Sequence, residues 1–190
     1  LTPKFRRVLG EAVGLEAAVP AHAWASFDYH LDWLHGALQW AAGRAWPGQN
    51  AGFDERQSGE GVELVRGSQE DIDLIVCWVD PGPITRLVLV EAKGYGAWSN
   101  QQAESKIPRI RAIVEAASVA DVDIDVRFVL SSPRQPQKLS TAGWPRWAIG
   151  EGGVPRWLAL PAPGERLVTE RCDEGGKASS EGTRWRIVGP

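Results

Sequence analysis

Two β-branched runs, IDLIVCWV at 72–79 and ITRLVLVEAK at 84–93, are separated only by Asp80, Pro81, Gly82 and Pro83. Apolar runs of this length joined by so short a connection predict an antiparallel β-hairpin, and the prolines flanking Gly82 exclude the tightest two-residue turn. A hairpin symmetric about Gly82 pairs Cys77 with Leu87, Ile75 with Leu89, Asp73 with Glu91 and Asp71 with Lys93. Side chains alternate along a strand, so Asp73, Glu91 and Lys93 are expected to share one face, with cross-strand Cβ atoms about 5 Å apart. Ile75, Cys77, Leu87 and Leu89 continue that face as an apolar surface.

Two carboxylates held so close repel each other unless a cation lies between them. Hard oxygen ligands that leave room for water suit Mg²⁺ or Mn²⁺, which makes Asp73 and Glu91 candidate metal ligands. Lys93, two residues beyond Glu91, adds an ammonium that can orient an attacking water or balance charge developing on a phosphoryl group. The opposing reading is an ordinary ion pair between Asp73 and Lys93 with Glu91 solvated.

The surrounding chain reads as α/β. Residues 22–43 are expected to form one amphipathic helix, because Phe27, Leu31, Leu34 and Leu38 recur at helical spacing and Gly43 can end it. Asp28, Asp32, His35 and Gln39 run along a second edge of that helix, either solvated or turned toward the site. Residues 44–61 read as a loop and GVELVRG at 61–67 as a short strand. Beyond GYGAW, Ser99 with Gln102 three residues later is a capping-box pattern opening a helix to about 117, which Pro108 should kink or split. VDIDVRFVLSS at 122–132 reads as another strand. The order helix, three strands, helix, strand predicts a mixed β-sheet flanked by helices over residues 1–132. Residues 133–190 read as a loop-rich extension packed on the same domain, ending in a β-hairpin of RLVTERC and TRWRIV around GGKASSEG.

Hydrophobic residues make up 43% of the chain and charged residues 24%, an ordinary balance for a folded protein. No apolar run approaches the roughly 20 residues that span a bilayer, so no membrane partner and a cytoplasmic location are expected. The two cysteines are far apart, and Cys77 reads as a small buried thiol rather than part of a disulfide or zinc site. A net charge of −3 argues against a protein that coats nucleic acid. That acidity is uneven: residues 1–93 hold 8 basic and 13 acidic groups, and residues 94–190 hold 13 basic and 11 acidic. A carboxylate metal site would itself concentrate acid in the first half. The ten tryptophans read mostly as core and loop anchors. Trp144 and Trp147, near Arg134, Lys138, Arg146 and Arg156, could alternatively stack on bases.

The acid Asp73 on one strand and Glu91-Ala92-Lys93 on the next resemble the signature of the PD-(D/E)XK nuclease superfamily, over roughly residues 22–132. The proline of that signature is absent here, where Glu70-Asp71-Ile72 precedes the acid. The resemblance implies a restriction-endonuclease-like core. It also implies an acid from the helix before the hairpin, for which Asp32, or less well Asp28, stands as a further metal ligand. Gln102 and Lys106, one turn apart, match the polar positions of the helix that follows, although Gln102 could equally be a helix cap. Metal-dependent hydrolysis of nucleic-acid phosphodiesters, of DNA first, is the activity implied, with Asp73, Glu91, Lys93 and Gln102 as catalytic candidates and a homodimer as a possible assembly. The alternatives are an inactive nuclease-fold domain that binds nucleic acid or protein, and a different hydrolase using the same metal site.

Overall fold

The computed structural model describes residues 1–41, 64, 65, 67, 70–82, 84–94, 98–118, 123–161 and 168–189, with the side chains of residues 101, 102, 104 and 118 excepted. The loop expected at 44–61, and most of the strand expected at 61–67, lie outside those residues. The chain divides into two compact units, residues 1–160 and 161–190.

The first unit is mixed α/β. Helix α1 (Pro3–Ala12) is followed by strand β1 (Trp24–His30), helix α2 (Leu31–Ala41), the hairpin strands β2 (Asp71–Val79) and β3 (Thr85–Ala92), helix α3 (Asn100–Ser118), and strands β4 (Ile124–Ser132) and β5 (Trp157–Ala159). The five strands form one sheet in the order β1-β2-β3-β4-β5. β1 and β3 each run antiparallel to β2, whereas β3, β4 and β5 are parallel. The antiparallel half is built from local connections, and α3 provides the crossover that a parallel β3–β4 pair requires.

From Val79 opposite Thr85 to Leu74 opposite Val90 the hairpin has the expected register, including Cys77 with Leu87 and Ile75 with Leu89, but the ladder ends before the expected pairs Asp73 with Glu91 and Asp71 with Lys93. Its apolar residues divide between two cores. Ile75, Leu87 and Leu89 join Leu31, Leu34 and Leu38 of α2 and Ile107, Ile110 and Ile113 of α3. Leu74, Val76, Val88 and Val90 join Leu9 and Val13 of the α1 segment. Two apolar faces explain why the central runs are almost continuously hydrophobic, since a sheet covered on both sides buries successive side chains alternately.

At the N-terminus, Thr2 accepts a hydrogen bond from the Phe5 N–H at 3.2 Å and Pro3 occupies the first turn, a standard helix start. Gly10 allows the following chain to lie on α1: a Cβ there would meet the Ala17 carbonyl oxygen at 2.6 Å.

Two expectations are corrected. Residues 22–43 are not one helix, because WASFDYH forms β1 and the helix begins at Leu31. Leu31, Leu34 and Leu38 do form a buried helical stripe, but Phe27 belongs to the strand and is 73% exposed. Its spacing from Leu31 spans a strand–helix junction. Pro108, in turn, does not split α3, which continues through it to Ser118. Buried Ile107, Ile110 and Ile113 anchor the helix on both sides of the proline, and that packing outweighs one missing backbone N–H.

Beyond 132 the chain supplies β5, whose Leu158 is buried in the α1-side core, so the sheet extends past the segment read as nuclease-like. Trp144 and Trp147 are half-buried against the α2/α3-side core, as anchors. The second unit contains the expected terminal hairpin, β6 (Val168–Cys172) paired antiparallel with β7 (Arg184–Val188). Cys77 and Cys172 are free thiols. Among the described residues, no helix is long and apolar enough to cross a membrane.

Candidate functional site

The candidate site lies where β2 and β3 part. Their register runs from Val79 opposite Thr85 to Leu74 opposite Val90 and stops there. β2 continues beside β1 through Ile72 and Asp71, while β3 continues beside β4 through Glu91 and Ala92. Each strand thus follows its outer neighbour, leaving Asp73 and Glu91 at the fork. The Asp73 carboxylate reaches across it: Oδ2 accepts a hydrogen bond of 2.6 Å from the Ala92 N–H. A side chain therefore satisfies a backbone donor at the point where the ladder ends.

Strand alternation also slips here. Ile72 and Ile75 belong to the same core although they differ in parity, whereas Leu74 belongs to the opposite one. The change falls at Asp73. The β1–β2 register passes from Phe27 opposite Leu74 to Tyr29 opposite Ile72 without pairing the residues between them, and Asp28 there has a positive φ of 48°. Aspartate tolerates this left-handed conformation better than most residues because its short side chain can bond locally. Simple period-two counting therefore locates the Asp73 backbone, while the carboxylate's direction depends on the fork.

Glu91 is the most strongly engaged carboxylate of the fork. Lys106, from α3, places its ammonium 2.6 Å from each Glu91 oxygen and 2.6 Å from the Asp71 carbonyl oxygen. Both side chains of this pair are largely buried, at 17% and 16% exposure. Burial pushes the Glu91 carboxyl above its ordinary pKa; the Lys106 hydrogen bond and charge oppose that rise, and the nearby Asp73 and Asp71 charges add to it. The net direction is upward. Glu91 is thus held among like charges in a partly desolvated place, a condition that an additional cation would relieve.

Lys93 leaves β3 immediately after Ala92, and its N–H donates to the Ser131 carbonyl at 2.8 Å. Its ammonium lies 5.6 Å from the centroid of the Trp98 ring, within cation–π range. Trp98 is anchored in turn, donating from Nε1 to the Ser132 hydroxyl at 3.0 Å; Trp157 Nε1 donates to the same hydroxyl at 3.2 Å. The Ser132 hydroxyl donates a hydrogen bond to the Arg134 carbonyl at 2.8 Å. Trp98 and Ser132 had no distinguishing sequence signal beyond belonging to an aromatic-rich chain.

Asp32 takes part in another polar cluster. Its carboxylate pairs with the Arg109 guanidinium and accepts a 2.8 Å hydrogen bond from the Gly67 N–H. Arg109 is fully buried and also contacts Glu70 at 2.7 Å and the Leu64 carbonyl at 3.3 Å. His35 and Gln39 are buried too, at 2% and 4% exposure, so the polar edge of α2 faces inward. Arg109 had no local motif to mark it, and Glu70 stood out only as part of the segment before Asp73, so their ion pair was not expected. Gln102 lies in α3, and its side chain is outside the described residues.

Among the described residues, no three His, Cys, Asp or Glu side chains form a metal-binding group. Asp73 and Glu91 nevertheless offer a two-carboxylate donor set, which fits Mg²⁺ or Mn²⁺ because these ions commonly retain several waters and need few protein ligands. The observations in favour of that fit are the Asp73 carboxylate held on the Ala92 N–H beside Glu91, and the two Glu91 oxygens that already hold one cation, the Lys106 ammonium. Comparison with family models, with curated proteins and with solved structures finds no match to the chain.

Proposed function

We propose that the fork between β2 and β3 is the site of a metal-dependent nuclease that hydrolyses nucleic-acid phosphodiester bonds, with DNA as the first substrate to test. The reading rests above all on the end of the β2–β3 ladder, where the Asp73 carboxylate takes up the Ala92 N–H next to Glu91. Asp73 and Glu91 would hold Mg²⁺ or Mn²⁺. When bound, such an ion polarises a phosphoryl oxygen and lowers the pKa of a water.

The remaining chemistry belongs to the chain. Asp73 keeps one oxygen on the Ala92 N–H, which fixes its carboxylate relative to Glu91. Lys93, steadied over Trp98, offers its positive charge to phosphate oxygens as they become more negative. Gln102 is proposed to hold a water or phosphate oxygen from the first turn of α3, whereas Asp32, expected as a further metal ligand, is engaged by Arg109 and the Gly67 N–H and is not included in the site.

The contact of Lys106 with both Glu91 oxygens favours a second reading. In it the fork is closed by a structural ion pair and the domain binds nucleic acid or protein without catalysis.

Hydrolysis of labelled single-stranded and duplex DNA, measured with Mg²⁺, Mn²⁺ or Ca²⁺, separates the two. The nuclease reading expects cleavage with Mg²⁺ or Mn²⁺, none with Ca²⁺ and none after chelation, because Ca²⁺ takes a larger and looser coordination shell. Lys93→Ala should retain Mn²⁺ binding and lose most turnover, at least about tenfold, because its charge acts on the transition state. Cleavage that persists in chelator would reject the mechanism.

A further inference from the structure

The Lys106 ammonium occupies a small cage of oxygens. Glu91 contributes both carboxylate oxygens and Asp71 its main-chain carbonyl, each at 2.6 Å. This cage opens at the same fork as the Asp73 carboxylate, and its charge is the main offset to the repulsion that Asp73 and Asp71 exert on Glu91. A lysine is therefore doing for Glu91 what a metal ion would do. A divalent ion shared by Asp73 and Glu91 needs a Glu91 oxygen, and at that distance it repels the ammonium strongly.

We propose that Lys106 is a displaceable counter-cation: its ammonium would leave Glu91 when Asp73 and Glu91 hold a divalent ion, and would then be free to meet a phosphate. This inference rests on the nuclease reading and adds regulation to it. Without the ion, Lys106 neutralises the fork and holds the splayed end of β2 through Asp71. With the ion, the same side chain becomes a positive group on a flexible stem next to the metal, suited to a phosphate as a point charge. Lys93 has a separate anchor at Trp98, so the two lysines have distinct duties.

Calorimetric titration of Mn²⁺ into the wild type, Lys106→Met and Lys106→Gln, each verified as folded by circular dichroism, tests the competition directly. Methionine keeps much of the stem without the charge, and glutamine keeps a donor for the Asp71 carbonyl if the apolar variant fails to fold. Removing the competing charge should tighten Mn²⁺ binding by about tenfold or more. Labelling of Lys106 in the wild type by an amine-reactive acylating reagent, read by mass spectrometry, should increase when Mn²⁺ is added. Binding by the wild type with equal or weaker binding by both variants, or unchanged labelling at saturating Mn²⁺, overturns displacement and leaves the metal reading standing. Absence of Mn²⁺ binding in all three proteins overturns both. Binding by the variants alone supports displacement in its strongest form.

Discussion

Glu91 is poised between burial and like charge on one side and Lys106 on the other, with the first pair prevailing. Its folded-state pKa is raised, so the folded protein holds the Glu91 proton more tightly than the unfolded chain does. The resulting contribution to stability is fully present below the unfolded pKa and is lost as pH rises through the folded value. Ionisation of Glu91 therefore costs the folded protein stability. Paired thermal denaturation of the wild type and Glu91→Gln, from acidic to neutral pH, should show the variant gaining on the wild type as pH rises. A gap that is constant, or that moves the other way, would mean that the Lys106 pair outweighs burial. Counting from Gly82 pairs Asp73 with Glu91, whereas the ladder stops one residue short of that pair and the Asp73 carboxylate bonds the Ala92 N–H instead. Counting assumes a continuous ladder, and the ladder ends at Leu74 and Val90.

Helix α3 is the element that assembles the polar side of the fold. Lys106 and Arg109, three residues apart, lie on neighbouring positions of one helix face and reach the start of β2 at Asp71 and Glu70. Arg109 also links this strand to α2 through Asp32. Because the guanidinium is fully buried, Arg109→Met should strand two carboxylates and destabilise the first unit by about 3–5 kcal/mol, the usual loss when one member of a buried ionic group is removed. Urea denaturation measures it. Adding Asp32→Asn and Glu70→Gln to that variant should recover part of the loss, since the stranded charges are then absent; no recovery would indicate that packing by the arginine stem dominates. Capping and periodicity made α3 legible as a helix, whereas its ionic partners depend on how it crosses the sheet. The opposite failure occurred at 22–43, where the apolar spacing of Phe27 with Leu31 imitated a helix although the aromatic residues of WASFDYH prefer the strand they form.

At the scale of the molecule, a mixed sheet covered on both faces brings the end of an antiparallel hairpin beside a parallel crossover, and the fork arises where these two patterns meet. The hairpin and the terminal β6–β7 pair were legible because each is local, with apolar runs close together around turn residues. β1 and β5 depend on pairing across longer stretches and left weaker local signals, as did the α1 helix that covers the second face. The central claim, that the fork holds a divalent ion between Asp73 and Glu91, is tested most directly by anomalous diffraction from crystals soaked in Mn²⁺. One strong peak in contact with both carboxylates is expected, with Lys106 moved away from Glu91, and no such peak in crystals of Asp73→Asn treated identically. A fully soaked wild-type crystal with no peak at the fork, and Lys106 still seated between the Glu91 oxygens and the Asp71 carbonyl, would contradict it.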